Sequence, residues 1–316
     1  MKLLTFLGEQ GPRLGIRLEQ GVLDVAEALK NMKGYEEGSV PTHMDQVIKG
    51  GPEAIQSLQK VIDDLPDTSE NEPYLLEESS LVFAPCVTEP GKIICVGLNY
   101  QKHAEETKSP IPEHPVLFNK FNNALTGHRC DVSLPNVTSE LDYEAELVIV
   151  IGQKAKDVSK EEAAQYIFGY TCGNDLSARD LQRRTNQWLL GKSCDGFLPL
   201  GPYIVTGDEI GNPNELKIRS LVNGEQRQNS TTADMIFKVE ELVSYISRHM
   251  TLLPGDIILT GTPEGVTIGY PREQRVYLKD GDQLSVEIEK IGTLSNKIVA
   301  EAKVEDGKPV GRTLGV

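Results

Sequence analysis

From residue 81 onward the chain is written as short β-type runs separated by turn residues: KIICVGL, ELVIVIG, PYIVTG, DIILTG, QLSVEIEKIG and KIVAEAKV. LKIRSLVNGEQRQ adds two more runs around Asn223-Gly224, a dipeptide suited to a tight hairpin. Helical spacing is sparse in this part. It appears in 159–169, where Ser159 and Glu162 form a capping-box pattern, in 176–184 and in 239–250. Strands that do not alternate one for one with helices exclude a doubly wound parallel sheet and predict an α+β chain with a mainly β core.

The N-terminal part has a different texture. Residues 1–35 read as short strands with turns, and 44–65 as a helix broken and restarted at Gly50-Gly51-Pro52. The polar stretch 66–80 reads as a linker. A small N-terminal α/β module over 1–75, followed by a catalytic domain over 80–316, is therefore expected.

Composition narrows function by exclusion. Net charge is −15 over 316 residues, an acidic balance that repels phosphate backbones and anionic lipid, so neither nucleic acid nor membrane is expected as a partner. There is no G-x-G-x-x-G, G-x-S-x-G or H-E-x-x-H. Gly191-Lys192-Ser193 imitates the end of a phosphate loop, but position 186, where the earlier glycine belongs, is Asn186. Cys86, Cys95, Cys130, Cys172 and Cys194 make no close pair and read as reduced thiols. No leader is evident in MKLLTFLGEQ, and the expected compartment is cytoplasmic.

One strand does not fit a simple core. LDYEAELVIVIG, 141–152, places Asp142, Glu144 and Glu146 on one face and continues that face with Val148 and Val150. The other face is apolar too, as in a strand covered on both sides. Same-face neighbours lie roughly 7 Å apart. Two unit charges at that distance repel by roughly 2 kcal/mol at an effective dielectric near 20. Water would remove this cost at an exposed strand end, and a divalent cation would turn it into attraction. A second acidic segment, GYTCGNDLSARDLQRR, sets Asp175, Arg179 and Gln182 at i, i+4 and i+7, which is one helix face if the helix starts near 175. Asp175 could equally be a helix cap. Glu-x-Glu with a distant Asp is a hard oxygen set, suited to Mg²⁺, Mn²⁺ or Ca²⁺ over Zn²⁺.

Taken together, GKIICVGLNYQKHAEE, LDYEAELVIVIG, GYTCGNDLSARDLQ, WLLGKSCDGFLPLGPYIV and PGDIILTGTPEGV, in that order, resemble the fumarylacetoacetate hydrolase family, nearest to its domain-containing 2 type. The resemblance implies rolled mixed β-sheets, a homodimer and bound Mg²⁺ or Mn²⁺. It implies Glu144, Glu146 and Asp175 as metal ligands, His103 and Glu106 as a water-activating lid pair, and Lys192 as an active-site lysine. Arg179, Gln182 and Thr262 would hold the anionic end of a small 2-oxo acid. The eponymous hydrolase carries a further Asp ligand where this chain has Ile94-Cys95-Val96-Gly97, as in the smaller acylpyruvase-like and decarboxylase-like members. The intact lid pair ranks metal-dependent C–C bond hydrolysis first. Oxaloacetate decarboxylation or keto–enol tautomerisation follows, and a non-catalytic metal-stabilised binding protein comes last. Trp188 reads as a packing residue.

Overall fold

The computed structural model describes residues 1–66 and 72–301. Most strands join one mixed sheet. Its path runs β4 (Leu75–Leu76), β3 (Gly21–Asp24), β2 (Gly11–Leu18), β1 (Lys2–Gly8), β13 (Leu198–Thr206), β11 (Ile167–Asn174), β10 (Ala145–Ile151), β16 (Ile257–Leu259), β5 (Ile93–Gly97) and β6 (Val116–Lys120), with β7 (Leu125–Thr126) beside β13. A second sheet orders β15 (Glu225–Thr231), β14 (Lys217–Val222), β17 (Gln283–Ile288), β18 (Gly292–Ala300) and β8 (Asp131–Leu134). A two-residue pair, β9 (Leu141–Asp142) with β12 (Ser177–Ala178), stands apart from both. The longer helices are α2 (Met44–Asp63) and α7 (Val239–His249). The others are short: α1 (Val25–Asn31), α3 (Gln101–Glu106), α4 (Arg179–Gln182), α5 (Leu189–Lys192) and α6 (Gly207–Ile210). This is the mainly β, mixed-sheet architecture expected from the strand texture.

β10 is covered on both faces, as its sequence requires. Val148 and Val150 belong to one apolar cluster, with Met44 and Leu58 of α2, while Leu147 and Ile149 belong to another, with Leu242 and Ile246 of α7. The hairpin at Asn223-Gly224 is formed, and α2 kinks at Gly51 ahead of Pro52. Of the cysteines, Cys86, Cys95 and Cys172 are buried, and all five are free thiols.

Two sequence expectations change. The 159–169 pattern keeps its Ser159–Glu162 hydrogen bonds but yields only a 3-10 turn at Ala163–Tyr166. From Ile167 the chain is strand, because its β-branched and aromatic residues pair with β10 and β13. The 176–184 helix shrinks to α4, since Ser177 and Ala178 pair with β9. Residues 1–24 join the large sheet: β1 pairs with β13, Lys2 opposite Val205 and Leu3 opposite Ile204, and brings β2 and β3 with it. The linker reading falls partly on 67–71, outside the described residues.

Candidate active site and metal centre

The acids meet because β10 and β11 start and stop together. Ala145 pairs with Asn174, the Asp175 N–H donates to the Glu144 carbonyl (2.9 Å), and the Glu144 N–H donates to Asn174 Oδ1 (2.9 Å). Carboxylate oxygens of Glu144, Glu146 and Asp175 consequently lie within 4.8 Å of one another, all three residues buried. The route differs from the helix-face expectation. Asp175 precedes α4 and follows β11, and it shares a site with Arg179 through strand pairing.

Buried charges need partners. Lys192, on α5, donates to Glu144 Oε2 (2.6 Å) and Asp175 Oδ2 (2.7 Å). Arg179 donates through Nη1 to Glu144 Oε1 (2.8 Å) and Gln182 Oε1 (3.0 Å). Its Nε donates to Asp142 Oδ2 (2.8 Å). Asp142, the third acid of the strand, is not part of the triad. It anchors Arg179 and accepts the Thr267 and Ile268 N–H groups (2.9 and 3.1 Å). Lys120, at the end of β6, was not singled out by the sequence; its buried ammonium sits against Asp175 Oδ1 (2.5 Å) and the Leu176 carbonyl (3.2 Å).

The two glutamates are electrostatically unequal. Burial alone would raise the Glu144 carboxyl, but Lys192 and Arg179 outweigh burial and hold it well below the usual carboxylate range. Glu146 goes the other way: burial, then the neighbouring Asp175 and Glu144 charges, push it up. Among the described residues its hydrogen-bond partner is the Gly261 N–H (2.7 Å). Gly261 adopts φ +98°, and a Cβ there would meet Asn99 Cβ at 2.8 Å, so only glycine presents that N–H here. Among the described residues, four buried carboxylates thus face three buried cations, with Glu146 the acid that has no ion pair. This all-oxygen donor set fits a divalent hard cation.

A cavity of about 500 Å³ opens over the site. Glu144, Glu146, Arg179, Gln182, Lys192, Thr262 and His103 border it, and Arg179 Nη2 is buried with no hydrogen-bond partner among the described residues. His103 and Glu106 stand on one face of α3 as the i, i+3 spacing requires. His103 Nδ1 lies 2.8 Å from Glu106 Oε1, and Glu106 Oε2 accepts the Gly265 N–H (2.9 Å). The carboxylate makes Nδ1 the protonated ring nitrogen and leaves Nε2 able to take a proton. Glu106 and Asp175 are not among the residues that border the cavity. The Thr262 hydroxyl donates to the Ala145 carbonyl (3.0 Å) and accepts from Gln228 Nε2 (2.8 Å), so in this arrangement its proton is committed to the backbone. Trp188 packs edge-on to Phe118, as a packing residue would, and also borders the cavity.

The site is a mainly β enclosure with a buried acid triad that could hold a divalent ion and a carboxylate-paired histidine beside the same cavity. Comparison with known proteins identifies the class. Residues 92–299 match the family model described as fumarylacetoacetate (FAA) hydrolase C-terminal, and the chain belongs to the fumarylacetoacetate hydrolase family. It is 43% identical over 312 residues to a fumarylacetoacetate hydrolase domain-containing protein 2 homolog of Dictyostelium discoideum, covering 94% of this chain and 97% of that one. It is 39% identical over 305 residues to a protein of Xenopus laevis named oxaloacetate tautomerase and mitochondrial, covering 95% and 90%. Among solved structures, the maleylpyruvate hydrolase of Sphingobium sp. SYK-6 with manganese(II) and pyruvate superposes with a TM-score of 0.76 at 27% identity, covering 96% of this chain and all of that one. Among the described residues, no helix is long and apolar enough to cross a membrane.

Proposed function

We propose that this chain is a divalent-metal-dependent oxaloacetate keto–enol tautomerase, with Mg²⁺ or Mn²⁺ held by Glu144, Glu146 and Asp175. The observation that carries the reading is that two proton-handling groups of opposite kind, His103 oriented by Glu106 and the Lys192 ammonium, border one cavity beside the triad. When bound, the ion supplies a Lewis acid for the oxygens of a 2-oxo acid. Arg179 Nη2 and the Gln182 amide receive the substrate carboxylate. His103 Nε2 takes a proton from C3 of the keto form while Lys192 donates a hydrogen bond to the 2-oxo oxygen as it gains negative charge. Returning a proton to that oxygen completes the enol. No water is consumed and no carbon–carbon bond breaks.

This reverses the order of preference drawn from the sequence, where hydrolysis came first. The names of relatives 38–39% identical over about 95% of the chain favour tautomerisation. Hydrolysis stays as the second reading for a specific reason: the formed His103–Glu106 pair can equally activate water. The vertebrate relatives are named as mitochondrial, which favours that organelle over the cytoplasmic expectation. A homodimer belongs to the same reading on the family resemblance alone.

The test follows enol absorbance and pyruvate together, with oxaloacetate and Mg²⁺ or Mn²⁺. Tautomerisation predicts rapid keto–enol equilibration without pyruvate, and His103→Ala should slow it by about 10²- to 10⁴-fold. Pyruvate appearing in step with the absorbance change would overturn the reading in favour of decarboxylation. Cleavage of acylpyruvates with no tautomerisation of oxaloacetate would install the hydrolase instead.

A further inference from the structure

Gln228 lies on β15 in the five-stranded sheet, yet its side chain is fully buried where that sheet meets β10. Its Oε1 accepts the Ala145 N–H (2.9 Å), and its Nε2 donates to Thr262 Oγ1 (2.8 Å) and to the Pro263 carbonyl (2.8 Å). The Thr262 hydroxyl donates back to the Ala145 carbonyl (3.0 Å). Ala145 is the residue between Glu144 and Glu146. On its β11 edge it is paired with Asn174, but on the β16 edge pairing begins only at Val148 opposite Leu259. The Gln228 amide therefore satisfies backbone at the start of β10 that no strand reaches on that side. Both N–H donors of the amide are used, and its oxygen accepts the Ala145 N–H. The neighbouring residue makes a parallel tie: Arg227 Nε donates to the Tyr143 hydroxyl (3.0 Å), which donates to the Gly265 carbonyl (2.9 Å).

We propose that Gln228 is a positioning residue that stands in for a missing strand at Ala145, fixing the Glu144–Glu146 pair and the Thr262 turn in one geometry for the ion. The proposal rests on the metal-dependent reading above. Gln228 touches neither the triad carboxylates nor the cavity, so its effect passes through Ala145 and Thr262. Groups behind metal ligands commonly set affinity by about 10- to 100-fold.

Gln228→Met keeps length and approximate volume and removes the three hydrogen bonds. Asn296→Ala is the control. Asn296 is buried, donates to the Gly127 and Cys130 carbonyls (2.9 Å each) and does not border the cavity. Mn²⁺ affinity is read from the free-ion electron paramagnetic resonance signal, with urea midpoints and oxaloacetate kcat and KM alongside. Both variants should lose stability. Gln228→Met should bind Mn²⁺ at least 10-fold more weakly, with a fall in kcat at saturating Mn²⁺, while Asn296→Ala stays within 2-fold of the parent. Should Gln228→Met not fold, Gln228→Asn carries the same expectation, because the shorter amide cannot span from Ala145 to Pro263. Parent-like Mn²⁺ affinity in the folded Gln228 variant overturns the proposal and leaves the metal reading standing. A parent protein that takes up no Mn²⁺ removes the metal reading and the proposal with it.

Discussion

Lys120 does for Asp175 what Lys192 does for Asp175 and Glu144 together. Its side chain is fully buried, and its ammonium is held by one carboxylate oxygen and one backbone carbonyl. Because Lys192 takes the other oxygen of Asp175, the two lysines divide that acid between them. Lys120→Met keeps most of the stem and deletes the charge, leaving Asp175 Oδ1 buried without its cation. Removing one partner of a buried pair costs about 3–5 kcal/mol, and the surviving Lys192 contact puts the expectation near the lower end. Urea unfolding should register that loss. The Lys120→Met/Asp175→Asn double variant should lose clearly less than the sum of the single losses, whereas additivity would mean that the two groups do not interact. Sequence spacing found the acids because three carboxylates at every second position in an apolar strand are costly without a cation. It could not find Lys120, since a lysine closing VLFNK reads the same as an ordinary wet strand end. Only the pairing of Lys120 with Ile93, which brings β6 against β5, reveals where that ammonium goes.

Among the elements, α3 is the one whose placement decides chemistry. It is only six residues long, far too short to hold itself together in water, so its position depends on docking. Glu106 supplies that dock through the Gly265 N–H, and its carboxylate fills the space over Gly269, where a Cβ would come within 2.4 Å of Glu106 Oε2. Gly269→Ala should push Glu106 off its place and release the His103 ring. Displacements of about 1 Å in a catalytic group can cost up to 10²-fold in rate. The expected outcome is a kcat about 10- to 100-fold lower, with Mn²⁺ affinity unchanged, because the triad lies on other elements. An unchanged kcat would show that the Glu106 contact does not govern the histidine. The His103–Glu106 contact was legible because i, i+3 on a helix is local information, whereas its role came only from the family resemblance. The short α4 and the strand from Ile167 were not. Their local helical signals are real, as the Ser159–Glu162 hydrogen bonds attest, but strand pairing with β9, β10 and β13 overrides them.

The same distinction governs the assembly of the sheets. Strand existence after residue 81 was readable from alternation and turn residues, whereas partners were not: β10 lies between β11 and β16, and β1 pairs far along the chain with β13, Lys2 opposite Val205. Register over such separations depends on side-chain fit between distant segments, which no local window contains. The site inherits that non-locality, since β6, β10, α3, α4, α5, the turn after β11 and the turn at 261–265 each contribute a group. What the sequence made visible was the donor chemistry, and what the fold adds is its convergence. The most direct test is anomalous diffraction from crystals equilibrated with Mn²⁺ and oxalate, a stable mimic of the enol form. A single strong peak should lie at metal–oxygen bonding distance, slightly over about 2 Å, from carboxylate oxygens of Glu144, Glu146 and Asp175, with oxalate on its open side toward Arg179. No peak in that cavity, or a peak elsewhere while Lys192 still bridges Glu144 and Asp175 over an unliganded Glu146, would contradict it.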